Sequence, residues 1–202
     1  MNIDWKKLST DPSKGLLPAI VQDADTLQVL MLGYMNEEAV VQTRSTGFVT
    51  FYSRSRQTLW QKGETSGNVL RLVDMQIDCD ADTLLVKARP VGPTCHEGTV
   101  SCFGMQGASG LGWLATLSKL IEERKTVDAD TSYTASLLRG PLPRLSQKVG
   151  EEGVETVIAA LAGSQEELIG EASDLLYHLM VLLAAKDLSL DDIVKQLQAR
   201  SA

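Results

Sequence analysis

Apolar positions follow two different rhythms along the chain. In the first half they come in short runs rich in β-branched and aromatic residues, bounded by Asp, Gly and Ser. Residues 27–32 (LQVLML), 48–52 (FVTFY) and 83–88 (TLLVKA) have this character and predict strands. Within 69–77, Val69, Val73, Met75 and Ile77 fall on one period-2 face, which predicts a strand burying that face. One helix is expected at 36–43, with Asn36 as its N-cap.

The second half reads as helices. Apolar residues at helical spacing cover 111–125, and a further helix is expected over 131–139, starting after Asp130 and stopping at Gly140-Pro141. Another is expected over 146–162, ended by Gly163; Ser164 with Glu167 forms a capping box for the next, which runs to Lys186. Ser189 with Asp192 opens the last helix in the same way. The change of rhythm falls in 103–112 (FGMQGASGLG), where four of ten residues are glycine, the composition of a flexible joint. Two domains follow: a β-rich α+β domain over 1–110 and an all-α helical domain over 111–202.

Composition narrows the function classes. The chain has 202 residues, 44% of them hydrophobic, too apolar for intrinsic disorder. No apolar run reaches the ~18–20 residues of a membrane helix, and the first ten residues lack the apolar core of a signal peptide. Three cysteines, an odd number, do not make a disulfide framework, so a reduced, cytoplasmic protein is expected. The net charge is −7, from 19 basic and 26 acidic side chains. Without a basic stripe, binding of nucleic acid through its phosphates is not expected. Anionic substrates remain open to an acidic protein if metal ions supply positive charge.

Two clusters carry candidate metal chemistry. In IDCDAD (77–82), an extended backbone would put Asp78, Asp80 and Asp82 on one face and Cys79 on the other. Like charges so arranged repel; Mg²⁺, which prefers oxygen ligands, would offset this, and a solvated acidic turn is the alternative. Cys95 and Cys102 lie in PTCHEGTVSC with His96 beside the first. Thiolates favour zinc, and three protein ligands leave the open position of a catalytic site; a buried, inert cysteine is the alternative. In the second half, Glu151, Glu152 and Glu155 are followed, after 15 residues, by Glu171 and Asp174. The pattern E-E-x-x-E…E-x-x-D puts acids at i, i+3 and i, i+4, each pair costing a helix ~0.2–0.5 kcal/mol. Packed antiparallel, the two helices would face these acids toward each other as a Mg²⁺ site for a polyphosphate. Val154, Val157, Ile158, Leu175, Leu176 and Leu179 would form the adjoining core.

At this point a resemblance becomes specific. SRSRQTLWQKGETSGN (53–68), DCDAD (78–82) and GPTCHEGTVSCF (92–103) resemble the signature blocks of phosphoribosyl-AMP cyclohydrolase. TSYTASLLRG (131–140) and QKVGEEGVETVIAAL…EASDLLYHLMVLL (147–183) resemble phosphoribosyl-ATP pyrophosphohydrolase, a relative of the MazG-type helical pyrophosphohydrolases. The order is that of the fused bifunctional enzymes of histidine biosynthesis. The resemblance implies that the helical domain acts first. Glu151, Glu152, Glu155, Glu171 and Asp174 would hold Mg²⁺ on the triphosphate of phosphoribosyl-ATP, with Arg139 and Lys148 as candidate phosphate contacts. It implies that the strand-rich domain then opens the purine ring of phosphoribosyl-AMP between N1 and C6, through a water activated by zinc. The zinc would lie at a homodimer interface, with Cys79 from one subunit and Cys95 and Cys102 from the other. Asp78, Asp80 and Asp82 would take Mg²⁺ nearby, and His96 is the candidate proton-transfer residue. Ser53, Arg54, Ser55, Arg56, Lys62 and Gly63 suit the substrate's phosphates. Trp60 is a candidate to stack on a base, with core packing as the alternative.

Two other readings compete. The helical domain would be a general nucleotide pyrophosphohydrolase with the zinc domain as its regulator, or the cysteine domain would be a zinc-stabilised interaction module without chemistry. The phosphate-suited run at 53–68 speaks against the second.

Overall fold

The structure, a computed structural model, describes residues 15–104 and 107–201. Residues 1–14, Ala202 and, within the glycine-rich joint, Met105 and Gln106 lie outside the described residues. The chain divides into two compact units between Leu114 and Ala115. The first is β-rich and the second all-helical, the two fold classes that the change of rhythm predicts.

In the first unit the elements run β1 (Leu17–Asp23), β2 (Val29–Met35), α1 (Glu37–Thr46), β3 (Thr50–Ser53), β4 (Thr58–Gln61), β5 (Leu70–Ile77) and β6 (Leu84–Pro90). Four strands form one sheet in the order β2-β1-β6-β5, and β3 and β4 form a separate hairpin. β1 is parallel to β6, while β1–β2 and β5–β6 are antiparallel. α1 follows its N-cap as expected: the Asn36 side chain accepts from the Ala39 N–H. The core is a single cluster in which Leu17, Val21, Leu30, Met35, Phe51, Leu70, Leu84 and Val86 are almost wholly buried. Gly33 lies under the Phe51 ring, where a side chain would overlap it.

Three strand expectations need correction. β1 was not anticipated, because Pro18 interrupts its apolar run; the fold tolerates this proline because pairing with β6 begins only at Ala19. Leu27 is not in a strand. It is exposed with φ 61°, in a turn closed by the Asp23 N–H on the Gln28 carbonyl. In β5 the register slips between Leu72 and Asp74. This bulge turns Val73 outward (47% exposed) and leaves Leu70, Leu72, Met75 and Ile77 on the covered side.

The helical unit contains α2 (Gly112–Arg124), α3 (Tyr133–Arg139), α4 (Leu142–Ala162), α5 (Gln165–Ala185) and α6 (Leu190–Arg200). α3 starts later than its pattern suggests, because a 3-10 turn occupies Ala129–Thr131 and Ser132 rather than Asp130 caps it. α4 starts earlier, directly after Pro141. Both expected capping boxes form, at Ser164/Glu167 and at Ser189/Asp192. The link of Gly163 and Ser164 makes α4 and α5 antiparallel neighbours. The expected core of this pair also needs correction. The buried residues of α4 are Leu145, Glu152 and Ala159, one stripe at seven-residue spacing, the seam of two nearly parallel helix axes. Val154, Val157 and Ile158 lie off this seam and are exposed.

Candidate active sites

The helical centre is built on the α4–α5 seam. Ligand atoms of Glu152, Glu171 and Asp174 lie within 4.8 Å of one another. Glu152 is buried, while Asp174 stands at the surface. Gathering three carboxylates without compensation is unfavourable. Partial compensation comes from Lys148, whose Nζ is 3.0 Å from Glu151 and 3.7 Å from Glu152. This hydrogen bond raises the Lys148 amine, and the same ammonium with the Gln147 amide holds Glu151 below the usual carboxylate range. Glu155 moves the other way: desolvation pushes it up, and the charges of Glu152 and Glu171 add to the shift. A surplus of negative charge therefore remains, of the kind that hard divalent cations neutralise, and the all-oxygen donor set fits Mg²⁺. Beside it, an open cleft of about 570 Å³ is lined by Pro141, Pro143, Arg144, Gln147, Lys148 and Glu151. Arg139 stands on the last turn of α3.

In the strand-rich unit, the acidic cluster forms in a turn, the alternative to an extended backbone. Residues 78–83 are the β5–β6 turn, not extended strand, and Ala81 has φ 66°. The Asp78 carboxylate accepts from the Asp82 and Thr83 N–H groups. Desolvation raises this carboxyl, but the two backbone donors, together with the Asp82 and Asp80 side chains, outweigh it and leave the group more acidic than an ordinary aspartate. The turn still gathers Asp78, Asp80 and Asp82 within 4.8 Å.

Cys95 and Cys102 sit on one loop fastened to β2. The Cys102 N–H donates to the Leu30 carbonyl, and the Ser101 hydroxyl donates to Val29. The Glu97 N–H and the Thr99 hydroxyl draw the Cys95 thiol toward thiolate. Burial and the neighbouring Cys95 push Cys102 up, while the Lys62 ammonium acts the opposite way. Lys62, from the 53–68 block, is thus brought to the cysteine pair. His96 is exposed, with Nδ1 3.8 Å from the Cys95 sulfur. Cys79 is exposed on the acidic turn. Among the described residues it forms no three-ligand group with Cys95 and Cys102 within 4.8 Å.

Ser53 to Arg56 occupy the tip of the β3–β4 hairpin. There the Ser53 hydroxyl accepts from the Arg56 N–H and approaches the Ser55 hydroxyl at 3.4 Å. The Arg54 guanidinium lies 3.9 Å over the Tyr34 ring, which orders an otherwise exposed cation. Gly63 has φ 81°, and a side chain there would meet the Asn68 backbone. Trp60 packs on Phe51 with ring centroids 5.2 Å apart, against the edge of the core.

The family model for phosphoribosyl-AMP cyclohydrolase matches residues 31–104, and that for phosphoribosyl-ATP pyrophosphohydrolase matches residues 114–201. The chain belongs to the bifunctional histidine-biosynthesis family. It is 53% identical over 200 residues to the histidine biosynthesis bifunctional protein HisIE of Vibrio vulnificus (strain YJ016), covering 98% of this chain and 92% of the relative. It is 56% identical over 198 residues to the protein of that name from Xanthomonas campestris pv. campestris, with 98% and 92% coverage. The Campylobacter jejuni protein of that name is 52% identical over 199 residues, with 98% and 94% coverage. As a member of the HisIE family the chain is a bifunctional hydrolase, with a cyclohydrolase domain followed by a pyrophosphohydrolase domain.

Three side chains at the helical centre escaped the sequence reading. Arg144 lines the cleft one turn before Lys148, a spacing that could have flagged it. His178 follows Asp174 by one turn, but its partner Tyr133 is 45 residues away, and no local spacing reveals that pairing.

Proposed function

We propose that the two activities use two separate metal centres. Glu151, Glu152, Glu155, Glu171 and Asp174 hold Mg²⁺ against the triphosphate of phosphoribosyl-ATP. Cys79, Cys95 and Cys102 hold Zn²⁺ for the opening of phosphoribosyl-AMP, with Asp78, Asp80 and Asp82 taking Mg²⁺ nearby. When bound, Mg²⁺ offsets the charge of the polyphosphate, and Zn²⁺ makes a water acidic enough to attack purine C6. The convergence of Glu152, Glu171 and Asp174 beside a cleft rimmed by Lys148 and Arg144 carries this reading.

The protein's own groups have distinct tasks. Lys148, Arg144 and Arg139 orient phosphate oxygens, and the acids position the cations so that pyrophosphate leaves with its charge covered. In the strand-rich unit, Ser53, Arg54, Ser55, Arg56, Lys62 and Gly63 bind the phosphates of phosphoribosyl-AMP. His96 transfers a proton as the N1–C6 bond opens, giving the formimino-aminoimidazole carboxamide ribotide. The packing of Trp60 on Phe51 favours a supporting role for it over stacking on the base.

The functional unit in this proposal is a homodimer. The separation of Cys79 from the Cys95/Cys102 loop supports a zinc site completed by a second subunit. The exposed Val154, Val157, Ile158 and Leu161 on α4 form an apolar face of the kind that subunits bury. We also place the protein in the cytoplasm. α5 is long and apolar enough to cross a membrane by length and composition, but it packs on α4 and carries Glu171 and Asp174 of the acidic centre, so we read it as a domain helix. Incubation with phosphoribosyl-ATP, following pyrophosphate release and ring opening separately, tests the assignment. Release must precede ring opening, and ordinary nucleoside triphosphates must turn over far more slowly. Comparable turnover of both would favour the general nucleotide pyrophosphohydrolase instead.

A further inference from the structure

His178 is one of only a few polar residues buried in the described structure, at 5% exposure, and it lies against the acidic centre. Its Nδ1 is 2.9 Å from the Asp174 carbonyl oxygen and 3.5 Å from Glu152 Oε1. Its Nε2 is 3.1 Å from the Tyr133 hydroxyl. A carbonyl only accepts, so Nδ1 carries the hydrogen. In the neutral ring Nε2 is then the acceptor, and the Tyr133 hydroxyl donates to it. One imidazole thus ties together three helices: Tyr133 on α3, Glu152 on α4 and the backbone of Asp174 on α5. The ring is further wedged edge-on between Tyr133 and Tyr177, with centroids 6.2 Å and 5.1 Å away. Thr134 and Tyr177 join α3 to α5 a second time, at 2.7 Å.

We infer that His178, held by Tyr133, is a positioning residue for pyrophosphate release. The Asp174 carbonyl, one turn back on the same helix, fixes the ring on α5, and the ring's Nδ1 then holds the Glu152 carboxylate of α4 at a set place relative to the acids of α5. Groups that orient ligands in this way typically change metal affinity 10–100-fold when removed. The inference rests on the reading that Glu152, Glu171 and Asp174 bind the cation.

The test uses the full chain, titrated with Mn²⁺ under electron paramagnetic resonance. The component lost in Glu152→Gln marks the helical site. His178→Leu is expected to weaken that component at least ~10-fold and to raise the Mg²⁺ needed for half-maximal pyrophosphate release by a similar factor, with ring opening unchanged. His178→Asn, whose amide N–H can replace Nδ1–H, should recover most of the affinity. Tyr133→Phe should shift it in the same direction by less. Wild-type Mn²⁺ affinity in His178→Leu overturns the inference, as does His178→Asn no better than His178→Leu. If circular dichroism shows His178→Leu unfolded, His178→Asn and Tyr133→Phe decide: the inference holds only if Tyr133→Phe binds Mn²⁺ more weakly than wild type and His178→Asn stays near wild type. If Glu152→Gln removes no Mn²⁺, the carboxylate reading itself fails and takes the inference with it.

Discussion

Glu152, Glu171 and Asp174 come within 4.8 Å of one another inside one chain, whereas Cys79 forms no such group with Cys95 and Cys102. The difference follows from how each unit is built. In the helical unit, i, i+3 spacing sets acids on one helix face, and a two-residue link with a capping box forces the helices to run back along each other. Short-range geometry is enough to assemble the site. In the strand-rich unit, the cysteines lie on the β5–β6 turn and on a loop anchored to β2, at opposite edges of a β2-β1-β6-β5 sheet. The turn joins the edge strand β5 to β6, and β1 lies between β6 and β2. In the proposed function the first kind of site is complete within one chain, and the second is completed by a partner.

The largest expected effects separate the two centres. Glu152→Gln should reduce pyrophosphate release by at least ~100-fold, the loss that a misplacement of ~1 Å in the reacting groups can cause, with ring opening nearly unchanged. Comparable loss of both activities in a folded variant would erase the distinction. Chelation should stop both reactions. Mg²⁺ alone should then restore pyrophosphate release but not ring opening, and Zn²⁺ with Mg²⁺ should restore both; recovery of ring opening with Mg²⁺ alone would contradict the thiolate assignment.

A stability effect of intermediate size sharpens the comparison. Leu145 is 1% exposed on the α4 seam, so Leu145→Ala should cost ~2–5 kcal/mol in the helical unit. Calorimetry should show the helical transition lowered and the strand-rich transition in place. A single transition that shifts as a whole would mean that the units do not unfold separately.

The smallest effect concerns the α5 cap. The Ser164 N–H and hydroxyl hold the Glu167 carboxyl below its ordinary value. A depressed folded pKa contributes stability above the ordinary glutamate value, about 4.3, and that stability is lost as pH falls through the folded value. Glu167→Gln should therefore lower the melting temperature slightly at pH 7 and converge with wild type as the pH falls through and below the depressed folded value. A constant offset across that range would remove the cap's charge from the account.

Much of this was legible from residue patterns because its causes are local. Asn36, Ser164 and Ser189 mark helix starts, and the capping boxes at Glu167 and Asp192 formed as expected. The E-E-x-x-E…E-x-x-D spacing brought together Glu152, Glu171 and Asp174. What failed depended on tertiary context. β1 is a strand despite Pro18 because its neighbour on that side begins at Ala19. The β5 bulge at Val73 reversed the face of half a strand, which no period-2 count foresees. The aspartates of 78–82 cluster through a turn bonded to the Asp78 carboxylate and not through pleat alternation. Val154, Val157 and Ile158 are apolar at helical spacing, yet the seam of a two-helix pair is too narrow to cover them. The His178–Tyr133 pair bridges helices far apart in sequence, so only the fold reveals it.

The contrast between a site complete in one chain and a site shared by two is tested most directly by subunit mixing. Cys79→Ala and Cys95→Ala homodimers should each be inactive in ring opening, while both retain pyrophosphate release. Mixed dimers pair the intact Cys79 of one chain with the intact Cys95 and Cys102 of the other, restoring one of two sites. With random exchange, about a quarter of wild-type ring-opening activity should return, and bound zinc should rise with it. If subunits exchange, as fluorescence transfer between labelled chains would report, and ring opening stays absent, the zinc site lies within one chain and the contrast is wrong.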